Sequence, residues 1–118
     1  MNRKVPSRVS LLQGTLELLI LRTLLAGPAH GHAIAKHIQR TSEDLLQVET
    51  GSLYPALHRL EAKGWIAPSW ELSNKGKRAR FYRLTPLGRK QLTAERGKWE
   101  AFSRAMALIL NPVDQEAQ

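Results

Sequence analysis

The chain has 118 residues, 42% of them apolar, which suits one small globular domain with an appendage and excludes a disordered chain. Its 18 lysines and arginines against 10 acidic residues give a net charge of +8, which is typical of proteins that bind nucleic acid. No cysteine is present, so disulfides and thiolate metal sites are excluded. The apolar run 16–25 is interrupted by Glu17 and Arg22 and is too short to cross a bilayer, so we expect a cytoplasmic protein that makes no membrane contact.

The first half of the chain predicts three helices with apolar residues at helical spacing: Leu12–Leu25, Gly31–Ser42, and a third whose N-cap lies between Thr50 and Ser52 and which Gly64 stops. This position of the N-cap leaves Pro55 in the opening turns of the third helix, where the backbone hydrogen bond that proline cannot donate is a small loss. Residues spaced i, i+3, i+4 and i+7 give the third helix its core face: Leu53, Ala56, Leu57 and Leu60.

The second half predicts a β-hairpin followed by a long helix. Strands at Ile66–Leu72 and Arg78–Leu84 flank a turn of loop-forming residues, and Pro68 indicates that the first strand lies at a sheet edge or starts late. Thr85 and Pro86 begin a fourth helix that runs to about Leu110. Trp65 and Trp70 are expected to pack in the core and at the root of the hairpin.

This order of elements predicts a mainly α fold with a small β-hairpin. Residues 1–84 would form a winged helix-turn-helix domain that binds DNA, residues 85–110 a long C-terminal dimerisation helix, and residues 111–118 a flexible tail. In such a domain one helix enters the major groove and the hairpin, or wing, lies beside it.

The predicted DNA-binding residues lie on the third helix and the hairpin. His58 and Arg59 would reach base edges, Ser52 and Tyr54 would donate to phosphates, and Pro55 offers an apolar surface. The hairpin cations would contact phosphates or enter a minor groove. The full set is Ser52, Tyr54, Pro55, His58, Arg59, Lys63, Lys75, Lys77, Arg78 and Arg80.

Other functions remain open from the residues alone. A winged helix also serves as a protein-interaction module, and a charged surface without base contacts would make a nonspecific DNA-binding protein. No glycine-rich phosphate loop, acid–base carboxylate pair or serine-elbow sequence supports an enzyme, and no cofactor is predicted. The spacing of His30, His32 and His37 does not align them on one helix face, so no metal site is predicted.

The fourth helix carries an apolar stripe with spacings of 7, 3, 4 and 3 residues, close to a heptad pattern. A helix that extends beyond the core should bury such a stripe against a partner, so we expect a twofold homodimer on a pseudo-palindromic operator in double-stranded DNA. The predicted dimerisation residues are Leu12, Leu16, Leu92, Trp99, Phe102, Met106 and Ile109.

Three motifs resemble the PadR family of bacterial transcriptional regulators: Gly31-His32-Ala33-Ile34-Ala35, residues 51–61 (Gly51 to Glu61), and residues 82–88 (Tyr82 to Gly88). The resemblance implies a winged-helix dimer, usually a repressor, of the subgroup with a single C-terminal helix. It departs from the family at His32, where tyrosine is common. It also implies that Trp99 stacks on a small planar or hydrophobic effector at the dimer interface. The sequence pattern alone is explained equally if Trp99 only packs in the seam, by which we mean the apolar stripe of the fourth helix and its contact with the partner.

Overall fold

A computed structural model describes residues 14–72 and 74–111. In chain order the elements are α1 Thr15–Leu25, β1 Ala29–His30, α2 Gly31–Thr41, α3 Thr50–Ala62, β2 Ile66–Leu72, β3 Arg78–Leu84 and α4 Pro86–Leu110. The mainly α fold with its hairpin is thus confirmed. Among these described residues, no helix is both long enough and apolar enough to cross a membrane.

The predicted bounds of both hairpin strands and of the end of α4 are confirmed. α2 ends at Thr41, one residue before its predicted end, because Ser42 serves as its C-cap. The predicted start of the first helix at Leu12 lies outside the described residues. β1 was not predicted, since two residues are too few to produce a periodic pattern.

The core lies between the three short helices and the sheet. All four residues predicted for the core face of α3 are buried, and they pack with side chains of α1 and α2 such as Ile20, Leu21, Ile34 and Ile38. Pro55 is the sixth residue of α3, so the helix loses one backbone hydrogen bond there. The loss falls on the exposed side of the helix, away from the core.

The sheet has the order β1-β3-β2, with all neighbours antiparallel. β2 is therefore an edge strand, as Pro68 predicted. One face, which we call the inner face, carries Ile66 and Tyr82 into the core, and the register Ile66↔Leu84 continues along it to Leu72↔Arg78 at the tip. The hairpin of residues 66–84 is called the wing below.

α4 is fixed tightly at its beginning. The Thr85 hydroxyl accepts from the N–H of Gly88 (2.9 Å) and lies within donating distance of the carbonyl oxygens of Gly64 (2.7 Å) and Trp65 (3.0 Å). Gly88 packs so closely that a Cβ there would lie 2.8 Å from the carbonyl carbon of Trp65 and overlap its oxygen. Only a glycine allows the helix to start in this place.

Beyond this start α4 leaves the domain, and residues 96–110 are all exposed. The structure therefore divides the predicted dimerisation residues. Leu16 and Leu92 are 6% and 5% exposed and pack in the core of the chain itself. Leu12 lies outside the described residues. Four remain on the open face of the helix: Trp99, Phe102, Met106 and Ile109.

Candidate nucleic-acid interface

The outer face of α3 lies opposite its buried row. Pro55, His58 and Ala62 are spaced i, i+3 and i+7, and all three are exposed. Ser52 is also exposed, in the first turn. The face is narrow and carries short side chains near its middle, so a major groove about 12 Å wide can accommodate it.

Tyr54 flanks this face and joins α3 to the start of α2. A Cβ on residue 31 would lie 2.7 Å from the Tyr54 hydroxyl oxygen, so the ring rests directly against Gly31. Tyr54 is 39% exposed, which leaves part of the ring on the surface predicted to contact DNA. The side chain therefore packs α3 against the start of α2 and is also partly exposed.

Arg59 flanks the opposite side of α3 and is held by an ion pair. Its Nε lies 2.7 Å from Oε2 of Glu17 on α1, and the hydrogen bond to Glu17 raises the pKa of Arg59 above its ordinary value. Part of the hydrogen-bonding capacity of the guanidinium is therefore committed to the contact with Glu17. Of the two residues predicted to reach base edges, His58 lies on the outer row and Arg59 beside it.

The tip of the wing carries exposed cations. Lys75, Lys77 and Arg78 all lie at or beside the turn, and the guanidinium carbon of Arg78 stands 5.2 Å from the centre of the Trp70 ring. Cations on a projecting hairpin can reach phosphates without moving the domain that supports them. The three wing residues predicted to contact DNA therefore lie close together, at the end of the hairpin that is farthest from the core.

Two further cations of the predicted DNA-binding set, Arg80 and Lys63, make contacts within the fold near the root of the wing. Arg80 Nη2 lies 2.7 Å from Oε2 of Glu61, which ties the wing to α3, and its guanidinium carbon is 5.9 Å from the Tyr82 ring centre. Burial raises the pKa of Tyr82, so its phenol stays neutral at physiological pH. The Lys63 ammonium stands 4.5 Å from the centre of the Trp65 ring. Of these contacts, the Arg80–Glu61 ion pair joins α3 directly to the wing.

Residues 20–94, more than half of the chain, match the model of the transcriptional regulator PadR-like family. The chain belongs to this family. It is 34% identical over 92 residues to the transcriptional regulator Rv3488 of Mycobacterium tuberculosis, a match that covers 78% of this chain and 82% of that protein.

Solved structures agree with the family assignment. A transcriptional regulator from Clostridium thermocellum is similar with a TM-score of 0.73 and 30% identity over 80% of this chain and 91% of that one. A PadR family regulator from Eggerthella lenta has a TM-score of 0.71 and 29% identity over 86% of each chain. The resemblance found in the motifs is confirmed, and the PadR-like chain is a transcriptional regulator rather than an enzyme.

Sequence reasoning missed the role of His30 in this PadR-like domain. Its Nδ1 accepts a hydrogen bond from the N–H of Ala33 (3.1 Å) and so caps α2, while its ring meets Phe81 edge-on at 5.2 Å between centres. Histidine is not among the usual N-cap residues, which is why the pattern gave no signal. His32 is exposed beside it. Among residues 14–72 and 74–111, no three histidines or acidic residues form a metal-binding group.

Trp70 also departs from the prediction. It does not pack at the root of the wing but lies 56% exposed on the inner face of β2, whereas Trp65 packs against the core as predicted. Trp70 is exposed because of its position in the sheet. It pairs with Arg80, one step closer to the tip than Tyr82, and Tyr82 is the last residue of this face that the core covers. The PadR-like wing thus has an exposed aromatic side chain.

A groove lies between the start of α1 and the exposed part of α4. Its volume is about 340 Å³ and its lining includes Leu18 from α1 and Glu95, Trp99 and Phe102 from α4. The rings of Trp99 and Phe102 are 6.0 Å apart between centres and are tilted by 42°. Trp99, predicted to contact an effector, is therefore 40% exposed and borders an open apolar groove.

Proposed function

We propose that this regulator is a homodimeric, sequence-specific DNA-binding repressor. α3 enters a major groove, the wing tip holds adjacent phosphates or a minor groove, and the bound dimer blocks access to a promoter. The observation that carries the proposal is the pairing of a narrow exposed face on α3 with a cationic wing, which Glu61 and Arg80 hold in a fixed relation. Membership in the PadR-like family supports DNA binding.

The second subunit would cover the exposed part of α4. Six large apolar side chains are exposed on that part of the helix, and four of them belong to the predicted seam: Trp99, Phe102, Met106 and Ile109. Large apolar side chains grouped on an exposed helix often mark an interaction surface, and a twofold axis would pair this surface with itself. The two recognition helices would then meet half-sites about one helical turn, roughly 34 Å, apart on a pseudo-palindromic operator.

The groove beside Trp99 is the proposed effector site. A flat apolar molecule could stack on the indole, and the two copies of the groove would lie near the dimer axis. The ligand would change DNA affinity only if it bound the DNA-competent dimer and the alternative dimer geometry with different affinities.

The test is a comparison of duplexes. Purified protein is titrated by fluorescence anisotropy against its own upstream DNA and against a scrambled duplex of equal length, at two salt concentrations. A preference of about a thousandfold or more for the upstream DNA is expected of a specific regulator. Equal, salt-sensitive affinities would refute sequence-specific recognition of that DNA, and negligible binding to both would favour a protein-interaction module.

A further inference from the structure

The wing bears an exposed apolar strip formed by Trp70 and Leu72. These alternate residues of β2 share the inner face of the sheet and are 56% and 68% exposed. Across the ladder they pair with Arg80 and Arg78. The strip is a continuation of the face that the core covers nearer the root, but here no element among the described residues packs over it.

The strip faces the same side of the molecule as α3. The inner face carries Tyr82 into the core, and Arg80 on that face reaches Glu61 of α3 at 2.7 Å. If α3 enters a major groove as proposed, the duplex would extend along this side of the wing. The opposite face, with Glu71 hydrogen-bonded to Ser69, points away from that path.

The charges around the strip identify a polyanion as its occupant. Arg78 stands over the Trp70 ring, Lys77 precedes it in the turn, and the strip itself contains no acidic residue. The sugars that wall a minor groove are apolar, and the phosphates at its rim attract cations. Proteins that bind the minor groove place apolar side chains against its interior and cations along its edges.

We propose that Trp70 and Leu72 make an apolar contact with the minor-groove walls next to the major groove that α3 occupies. This rests on the proposed function and adds to it a part of the wing's affinity that does not depend on charge. A cation that contacts a phosphate releases counterions, and each such contact contributes about 0.9 to the slope of log K against log salt concentration. An apolar contact releases none, so it changes affinity by the same factor at every salt concentration.

The variants Leu72→Ala and Trp70→Ala test the contact. Each is titrated by anisotropy with the operator and with a scrambled duplex at four salt concentrations, next to the wild type. We expect affinity to fall about tenfold, which corresponds to about 1.4 kcal/mol, for both duplexes and at each salt concentration, with the slope unchanged. Leu72→Ala is the cleaner variant because Trp70 also supports Arg78.

Two controls accompany these variants. Lys77→Ala should lower affinity and reduce the salt slope by about 0.9, the signature of a lost phosphate contact. Leu87→Ala removes a similar side chain, 46% exposed in the first turn of α4, and should leave DNA affinity unchanged. Thermal unfolding of every variant confirms that each one is folded.

The outcomes separate the two proposals. Two results would overturn the apolar contact and leave sequence-specific binding in place. One is unchanged DNA affinity in both strip variants, and the other is a loss of affinity that appears only as a change in the slope of log K against log salt concentration. Wild-type binding without preference between the duplexes overturns specificity but still tests the strip, because sugars are the same in both. If the wild type binds neither duplex, both proposals are overturned.

Discussion

Replacing either of two glycines in α4 by alanine should have opposite effects on stability. Gly97 lies in a regular part of the helix and nothing stands within 4 Å of the position of its missing Cβ. It is about 200° around the helix from Trp99, so the proposed dimer seam does not cover it. Gly97→Ala should therefore raise the free energy of unfolding by about 0.8–1 kcal/mol through helix propensity alone, and the melting temperature by about 4 °C.

Gly88→Ala gains the same propensity but has no room for the methyl group. The added carbon would overlap the carbonyl oxygen of Trp65, a backbone atom that also accepts hydrogen bonds from the Thr85 amide and hydroxyl. Displacing it should cost about 3 kcal/mol in overpacking and about 1 kcal/mol in weakened hydrogen bonding. The net loss is then about 3 kcal/mol, enough to lower the melting temperature by more than 10 °C.

Urea unfolding followed by circular dichroism measures both variants against the wild type. Protein concentration must be held equal, because a dimer's apparent stability depends on it. A Gly88→Ala variant as stable as Gly97→Ala would show that the start of α4 is not packed against Trp65 as described.

Three further predictions concern the proposed function. Alanine at Lys75, Lys77 and Arg78 together should weaken binding to all duplexes and flatten the salt slope by about 2.7; unchanged binding would remove the wing from the interface. Glutamate at both Phe102 and Met106 should yield monomers in sedimentation experiments, whereas Arg104→Glu on the far side of α4 should not, and persistent dimers would refute the seam. Trp99→Ala should abolish any response to aromatic ligands while operator affinity stays similar; a retained response would place the effector site elsewhere.

The sequence predicts the fold well where local patterns and long-range packing agree. The apolar residues of α3 sit at helical spacing because that face packs against α1 and α2, so periodicity alone locates the helix and its core side. The strands are bounded by a turn whose composition leaves few alternatives. The pattern does not locate β1, because its two residues form a strand only by pairing with β3, which is remote in the chain. It does not locate the His30 cap because histidine is not among the usual N-cap residues.

The sequence predicts where the candidate site lies, but it does not predict what each residue of the site does. Composition shows a cationic hairpin beside an amphipathic helix, but charge does not say which cations face outward. Arg59 and Arg80 find acidic partners on other elements, Glu17 and Glu61, 42 and 19 residues away in the chain. Their charges hold α1, α3 and the wing together, whereas Lys77 and Arg78 project from the tip. The geometry that presents the outer cations to DNA is thus stabilised by inner cations of the same set, and only the folded structure separates the two groups.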